Sequence, residues 1–262
     1  MLRALYTSAS GMQAQQMNLD VIANNLANVN TTGFKKSKVE FQDLLYQTSR
    51  AAGSEAGAGN QIPTSLQVGH GSRPVATAKN FEGGELYQTG EKMDLAIHGN
   101  GFFKVTMADG SDAFTRDGGF KFNNSGGIVT NDGMPVTSFA GVTIPSTATN
   151  VSISPDGTVS LTDQGVTSTV GQITLSRFAN PAGMESLGSS LYRATLASGT
   201  EETGTPGLAG MGQVQQGWLE LSNVKVIEEM VNLIKAQRAY EINSKSIQAA
   251  DEMMSMSNRL RG

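Results

Sequence analysis

Residues 219–262 read LELSNVKVIEEMVNLIKAQRAYEINSKSIQAADEMMSMSNRLRG, and this stretch decides the fold. Large apolar residues recur in it every seven positions, at Leu219, Val226, Leu233, Tyr240, Ile247 and Met254. Small or polar residues stand three positions further on, at Ala236, Asn243, Ala250 and Ser257. Such a period predicts a helix with one apolar stripe, as in a coiled coil. One continuous helix over this stretch would be about 66 Å long. That length exceeds the width of a small domain and favours a partner helix.

The N-terminal end of the chain carries a second repeat of seven residues. Its members are Leu5, Met12, Leu19 and Leu26, with Ile22 and Val29 three positions after the last two. Thr31, Thr32 and Gly33 predict where this helix stops, because glycine accepts a left-handed cap. We therefore predict that the two terminal helices form a coiled-coil layer. The predicted assembly interface consists of all these apolar positions and Met230.

The middle of the chain has the pattern of an antiparallel β-rich domain. Short apolar runs predict strands at Phe102–Met107, Ala113–Thr115, Gly119–Phe122, Gly127–Thr130, Val136–Phe139, Val151–Ser154, Thr158–Thr162 and Gln172–Phe178. Four Asp-Gly pairs between or beside these runs suit hairpin turns, at Asp109, Asp117, Asp132 and Asp156. Strands at this spacing are typical of a sandwich or barrel. The predicted fold class is therefore α+β.

Changes in composition along the chain suggest five segments. We predict an N-terminal coiled-coil helix over 1–33, an extended connector over 34–80, a β-rich outer domain over 81–200, a glycine-rich linker over 201–218 and a C-terminal coiled-coil helix over 219–262. The connector contains the Gly- and Ala-rich stretch Ala51–Asn60. On composition the segment Tyr46–Pro63 around it is a surface linker. Our alternative hypothesis is that this segment becomes ordered on assembly and braces neighbouring copies.

No arrangement of residues in the sequence predicts a catalytic, cofactor or metal site. Cysteine is absent, and the only histidines, His70 and His98, lack clustered partners. The Gly99-Asn100-Gly101 triplet lacks the third glycine of a dinucleotide loop, because Lys104 stands there. A net charge of −4 gives no electrostatic reason to expect nucleic acid as a partner. The N-terminus lacks the apolar core of a secretory signal, and no run predicts membrane insertion.

Four long motifs, in order along the chain, resemble those of flagellar rod and hook proteins. They are ANNLANVNTTGFKK (Ala23–Lys36), GEKMDLAIHGNGFFKV (Gly90–Val105), AFTRDGGFKFNNSGGIVTNDGMPV (Ala113–Val136) and EEMVNLIKAQRAYEINSKSIQAADEM (Glu228–Met253). Within that family, FQDLLYQT (Phe41–Thr48), PVAT (Pro74–Thr77) and the length of 262 residues favour a place in the distal rod. A second proximal rod protein and the hook protein are the alternatives within the family.

The resemblance implies a structural subunit of a helical homopolymer, without enzymatic activity or cofactor. It also implies export through the flagellar type III apparatus without a cleaved signal peptide, to a rod that spans the periplasm. The implied neighbours are proximal rod proteins, hook protein, a rod cap and the P-ring and L-ring proteins. A coiled-coil-stalked adhesin or binding module is the alternative outside the family, and it would form a closed oligomer where a rod subunit polymerises.

Overall fold

The structure, a computed structural model, describes residues 2–53, 63–145, 150–163 and 166–259. Two long helices, one near each end of the chain, flank a β-rich region. The chain divides into two compact units, and neither is continuous in sequence. The helical unit consists of Met1–Leu26, Ser37–Ala78 and Lys225–Gly262, and the β-rich unit of Ala27–Lys36 and Lys79–Val224. Within the described residues, neither helix is long and apolar enough to cross a membrane.

The helical unit contains both helices and four strands. Its elements are α1 (Leu2–Ala27), β1 (Ser37–Asp43), β2 (Tyr46–Arg50), β3 (Leu66–Gly69), β4 (Ser72–Lys79) and α2 (Val226–Arg259). β1 pairs with β4, and β2 pairs antiparallel with β3. The segment 34–80, predicted to be an extended connector, thus contributes two small sheets. Of the stretch Ala51–Asn60, residues 54–60 lie outside the described residues.

The two helices meet through small and polar side chains. A Cβ atom on Gly11 of α1 would lie 2.9 Å from Nδ2 of Asn243 in α2. Fourteen residues later in α1, Nδ2 of Asn25 donates to Oε2 of Glu229 at 3.4 Å, fourteen residues earlier in α2. The contacts thus advance by fourteen residues in α1 while they go back by fourteen residues in α2, so the two helices run antiparallel. The residues of the helices that are buried are Ala14, Ile22, Asn25, Glu229, Ala236 and Ala250.

The predicted coiled-coil layer is wrong for the described chain. Leu219 belongs to a strand, and α2 begins only at Val226. Val226 and Tyr240 of the predicted stripe are 41% and 40% exposed, so they do not form a buried seam. The buried residues of α2 are instead Glu229, Ala236 and Ala250, each three positions after a member of the predicted stripe.

In its described residues, the β-rich unit contains fifteen short strands arranged in small sheets. They are β5 (Leu86–Gln88), β6 (Leu95–His98), β7 (Phe103–Thr106), β8 (Asp112–Thr115), β9 (Lys121–Phe122), β10 (Ile128–Val129), β11 (Asn150–Ile153), β12 (Thr158–Asp163), β13 (Val166–Gln172), β14 (Leu175–Arg177), β15 (Glu185–Gly188), β16 (Leu191–Arg193), β17 (Glu202–Gly204), β18 (Gln213–Gln216) and β19 (Trp218–Glu220). The largest sheets have the orders β15-β16-β8-β7 and β11-β12-β13, and every paired neighbour with a defined register is antiparallel. The predicted antiparallel β-rich middle is therefore confirmed.

The core of this unit combines alternate residues of strands, as in β7, with residues that lie between strands. Phe103, Val105, Leu161 and Ile173 are at most 3% exposed and belong to one cluster with Leu95. A second, aromatic cluster holds Phe102, Phe114, Phe178, Met184 and Tyr192. Its rings meet edge to face, as in the 4.7 Å contact between the centroids of Phe114 and Phe178. Together the two clusters give the unit a core of its own.

The predicted turns and strands differ from the structure in particular places. The Asp109-Gly110 and Asp156-Gly157 pairs do connect hairpins, with Gly110 and Gly157 at φ of 81° and 82°. The run Val136–Phe139 is instead largely a short 3₁₀ helix, Thr137–Phe139. The stretch 201–218, predicted to be a linker, supplies β17, which pairs with β14, and β18, which pairs with β6.

Replacing Asn25 by Ala should destabilise the helical unit. The buried Asn25 amide donates to the Ser37 carbonyl and accepts from the Ser37 N–H, both at 2.9 Å. Loss of this two-way pairing leaves buried polar groups unsatisfied, so we expect the free energy of unfolding to fall by about 2 kcal/mol. Urea titration followed by far-UV circular dichroism measures it. The control is Asn30→Ala at an exposed position, and equal stability of the two variants would contradict this role.

Candidate assembly interface

One face of α2 is apolar and exposed. Ile227, Val231 and Ile234 follow one another at helical spacing and are all exposed, Ile227 by 79%. At about 100° per residue, they lie opposite Glu229, Ala236 and Ala250, which are buried. A helix that is apolar on the side away from its own unit needs further protein to cover it. The exposed face of α2 is therefore the candidate assembly interface.

The residues predicted for this role in α2 divide between exposed and partly covered positions. Val226, Met230 and Tyr240 are exposed, whereas Leu233, Ile247 and Met254 are partly covered. The sequence reasoning missed the exposed apolar residues Ile227, Val231, Ile234, Ile242, Met253 and Met256. A search for apolar residues at i, i+4 and i+7 would have found the first three, because that spacing marks one helix face.

The predicted N-terminal members are distributed over both units. Leu5, Met12, Leu19 and Leu26 are partly covered in α1, and Ile22 is buried there. Val29 follows the end of α1, and Leu219 lies in β19, so both belong to the β-rich unit. Of the thirteen predicted residues, eleven therefore belong to the helical unit and two to the β-rich unit.

The β-rich unit contains a buried cluster of three charged side chains. Nζ of Lys35 lies 2.5 Å from Oε1 of Glu220, and Nη1 of Arg116 lies 3.2 Å from Oε2 of the same carboxylate. These side chains are at most 3% exposed. Arg116 also donates from Nη2 to the carbonyl of Gly99 at 2.7 Å. Because its donors face an acid and carbonyl groups within the core, the cluster holds chain segments together.

Burial controls the ionisation of this cluster. It lowers the pKa of the Lys35 ammonium and of the Arg116 guanidinium, and the charge of Glu220 opposes both shifts. Burial also raises the pKa of the neighbouring Tyr192 phenol to about 12, and the negative charge of Glu220 adds to this shift. Tyr192 is therefore a neutral phenol at physiological pH.

The described residues contain no group of three or more His, Asp or Glu side chains that could hold a metal ion. His98 is exposed at the end of β6, and His70 is partly covered between β3 and β4. The arrangement of the described chain offers surfaces for packing and a buried salt-bridge cluster.

Three family descriptions match the chain in order. "Flagella basal body rod protein" covers residues 5–35, "Flagellar hook protein FlgE/F/G D1 domain" covers 96–161, and "Flagellar basal body rod FlgEFG protein C-terminal" covers 215–260. The first and third fall largely on the two helices, and the second falls within the β-rich unit. These matches define the class as flagellar rod and hook proteins.

Relatives that match nearly the whole chain identify the family within this class. The chain is 48% identical to the flagellar basal-body rod protein FlgG of Borreliella burgdorferi over 263 residues, covering 100% of this chain and 99% of the relative. It is 45% identical to the protein of the same name from Bacillus subtilis, over 97% of each chain. The flagellar hook protein FlgE of Helicobacter mustelae is 47% identical over only 45% of this chain and 26% of its own length. The chain belongs to the family of flagellar basal-body rod proteins, which confirms the prediction of a structural rod subunit in the flagellar basal body.

The seam of small residues in α2 should tolerate no added bulk. Ala250 is 2% exposed, whereas its neighbour Ala249 is exposed. We expect Ala250→Leu to lower the free energy of unfolding by about 2 kcal/mol through overpacking. The matched change Ala249→Leu should stay within about 0.5 kcal/mol of the parent. Urea titration of both variants measures the difference, and equal stability would mean that position 250 is not packed as described.

The Tyr192 phenol should make stability depend on alkaline pH. Because its folded pKa of about 12 exceeds the unfolded value of about 10, its contribution is complete below pH ~10 and is lost as the pH rises towards 12. Lys35 has a lowered pKa, so its titration makes the free energy of unfolding rise with pH. This rise ends at its unfolded pKa of about 10.5. Urea midpoints above that pH should therefore fall more steeply for the parent than for Tyr192→Phe. Below pH ~9 the two pH dependences should be parallel, and parallel curves throughout would contradict the shift.

Proposed function

We propose that this protein is the subunit of the distal rod of the flagellum, and that identical copies assemble into a stiff helical tube that transmits torque to the hook. The exposed apolar face of α2 carries the proposal. Ile227, Val231 and Ile234 are exposed in the single chain, although apolar helix faces are normally covered in folded proteins. A second copy of the same chain is the partner that a rod subunit always has beside it.

Repetition of one contact explains why a tube would form. A surface that binds a different surface on an identical copy repeats from copy to copy, and it gives a helical filament unless the rotation closes. The five apolar residues at the start of α2, Val226, Ile227, Met230, Val231 and Ile234, would be shielded by neighbouring copies in such a filament. Complete burial of each side chain against a neighbouring copy would contribute about 1.5–3 kcal/mol to assembly. Seven further predicted residues would contribute wherever their partly covered side chains reach a neighbouring copy, namely Leu5, Met12, Leu19, Leu26, Leu233, Ile247 and Met254, whereas Ile22 is already buried within the chain.

The relatives support the proposed place along the flagellum. Rod proteins named FlgG match the whole chain, whereas the hook protein matches less than half of it. This difference favours a rod subunit over the hook alternative. Its neighbours would be proximal rod proteins, the hook, a rod cap during growth, and the P-ring and L-ring proteins around the rod. Delivery would use the flagellar type III export apparatus without a cleaved signal peptide.

A charge on the exposed face of α2 should prevent polymerisation and leave the fold intact. Ile227→Asp alters an exposed side chain, so the monomer should unfold within about 0.5 kcal/mol of the parent. In a polymer the same carboxylate would be buried without a partner, which is costly. We expect no polymer at concentrations where the parent assembles, measured by sedimentation and electron microscopy.

The control adds the same charge at an exposed polar position on another side of α2, as Asn232→Asp, about 140° around the helix from Ile227. This variant should polymerise at the parent's concentration. If Ile227→Asp assembles as the parent does, the apolar face of α2 is not an interface. A closed small oligomer of the parent at every concentration would instead favour the adhesin alternative.

A further inference from the structure

The carboxylate of Glu220 gathers three distant parts of the chain in the β-rich unit. Its Oε1 atom accepts hydrogen bonds from Nζ of Lys35 at 2.5 Å and from the backbone N–H of Gly84 at 2.8 Å. Its Oε2 atom accepts from Nη1 of Arg116 at 3.2 Å. Lys35 and Glu220 are 185 positions apart in sequence. We call Lys35, Gly84, Arg116 and Glu220 the clasp.

Backbone hydrogen bonds around the clasp join the same segments. The N–H of Gly33 donates to the carbonyl of Glu220 at 2.8 Å, and the N–H of Leu221 donates to the carbonyl of Glu85 at 2.9 Å. The N–H of Lys36 donates to Oδ1 of Asn223 at 2.8 Å. Residues just after α1 and just before α2 are thus tied into the β-rich unit at one place.

The β-rich unit also takes its last two strands from the end of the sequence. β18 pairs with β6 from Gln213↔His98 to Gln216↔Leu95, and β19 pairs with β5. Val214 of β18 is 1% exposed and belongs to the main apolar cluster. Without β18 this cluster would be open to water along β6.

A partly formed clasp is energetically unfavourable in a closed core. Until Glu220 arrives, closure of the core would bury the charges of Lys35 and Arg116 without a counter-ion, and such burial is strongly unfavourable. Glu220, the acid that neutralises them, lies in the segment that also supplies β18 and β19. The counter-ion and the last two strands therefore become available together, with the last part of the β-rich unit.

We propose that the clasp is a late-closing device, which keeps the β-rich unit open until the chain is available through Glu220. In a chain that emerges N-terminus first, from a ribosome or from a narrow channel, the β-rich unit therefore stays unfolded while most of its residues are already out. The consequence for an export channel rests on the proposed function. The closing order itself does not, because it concerns the single chain.

Two adjacent glycines offer a matched pair of variants. A Cβ atom on Gly84 would lie 1.9 Å from the carbonyl oxygen of Leu221, so any side chain there pushes the segment that follows β19 away. A Cβ atom on Gly83 would meet nothing closer than Oε1 of Glu220 at 4.0 Å. Neither position has a positive φ, so Ala is compatible with the backbone at both.

The first experiment is amide exchange of the full chain carrying Gly84→Ala or Gly83→Ala. We expect Gly84→Ala to speed exchange at Phe103, Leu161 and Ile173 by at least about 100-fold, because these residues share the core that the clasp closes. Gly83→Ala should keep the parent's rates. Parent-like rates in Gly84→Ala at these core amides would overturn the proposal.

The second experiment follows the unaltered full chain during refolding, by pulsed hydrogen exchange. The proposal requires the amides of Phe103, Leu161 and Ile173 to gain protection in the same phase as the amide of Leu221, which reports the clasp. Protection of the core in an earlier phase than Leu221 would overturn the proposal. Neither experiment involves polymers, so failure here is distinct from failure of the assembly interface.

Discussion

One buried carboxylate, that of Glu220, is the interaction on which the β-rich unit depends. Within the core, an ionised acid and two cations are tolerated only as a complete set, because each charge loses its water on burial. Lys35 comes from the segment after α1, Arg116 follows β8 and Glu220 ends β19. The cluster therefore fixes which parts of a long chain must be neighbours. Apolar packing alone, which is not directional, would specify this less sharply.

The helical unit follows a different rule. Its helices approach each other through Gly11 and Asn243 and through the amide of Asn25, and the large apolar side chains at the start of α2 remain outside. Close contact between small residues uses little of the helix circumference. The remaining circumference is available for other copies, which suits a subunit whose partner is itself. The helices are thus joined by polar and small side chains, and the apolar side chains at the start of α2 stay exposed.

Several ionisable groups with shifted pKa values lie in the core of the β-rich unit. Three of these groups, Lys35, Arg116 and Tyr192, lie beside Glu220, and burial shifts the pKa of each. Perturbed ionisation often marks a functional site, but structural ion pairs cause it too. Here the hydrogen bonds of Lys35 and Arg116 run to Glu220 and to backbone carbonyls, so their role is to position the chain.

The sequence by itself determined the family, the two terminal helices and the antiparallel β-rich middle. Long motifs in a fixed order, seven-residue repeats and Asp-Gly turns are local signals, so they can be recognised in the sequence without knowledge of the tertiary contacts. Local signals could not decide which side of α2 is buried, because apolar residues stand on several of its faces. Only the tertiary structure showed that Ala236 and Ala250 are buried and that Ile227 is exposed. It also showed that Leu219 lies in a strand and that the glycine-rich stretch before it contains strands β17 and β18. It alone brought Lys35 to Glu220, since a pairing across 185 positions depends on the closure of the whole core and leaves no periodic trace in the sequence.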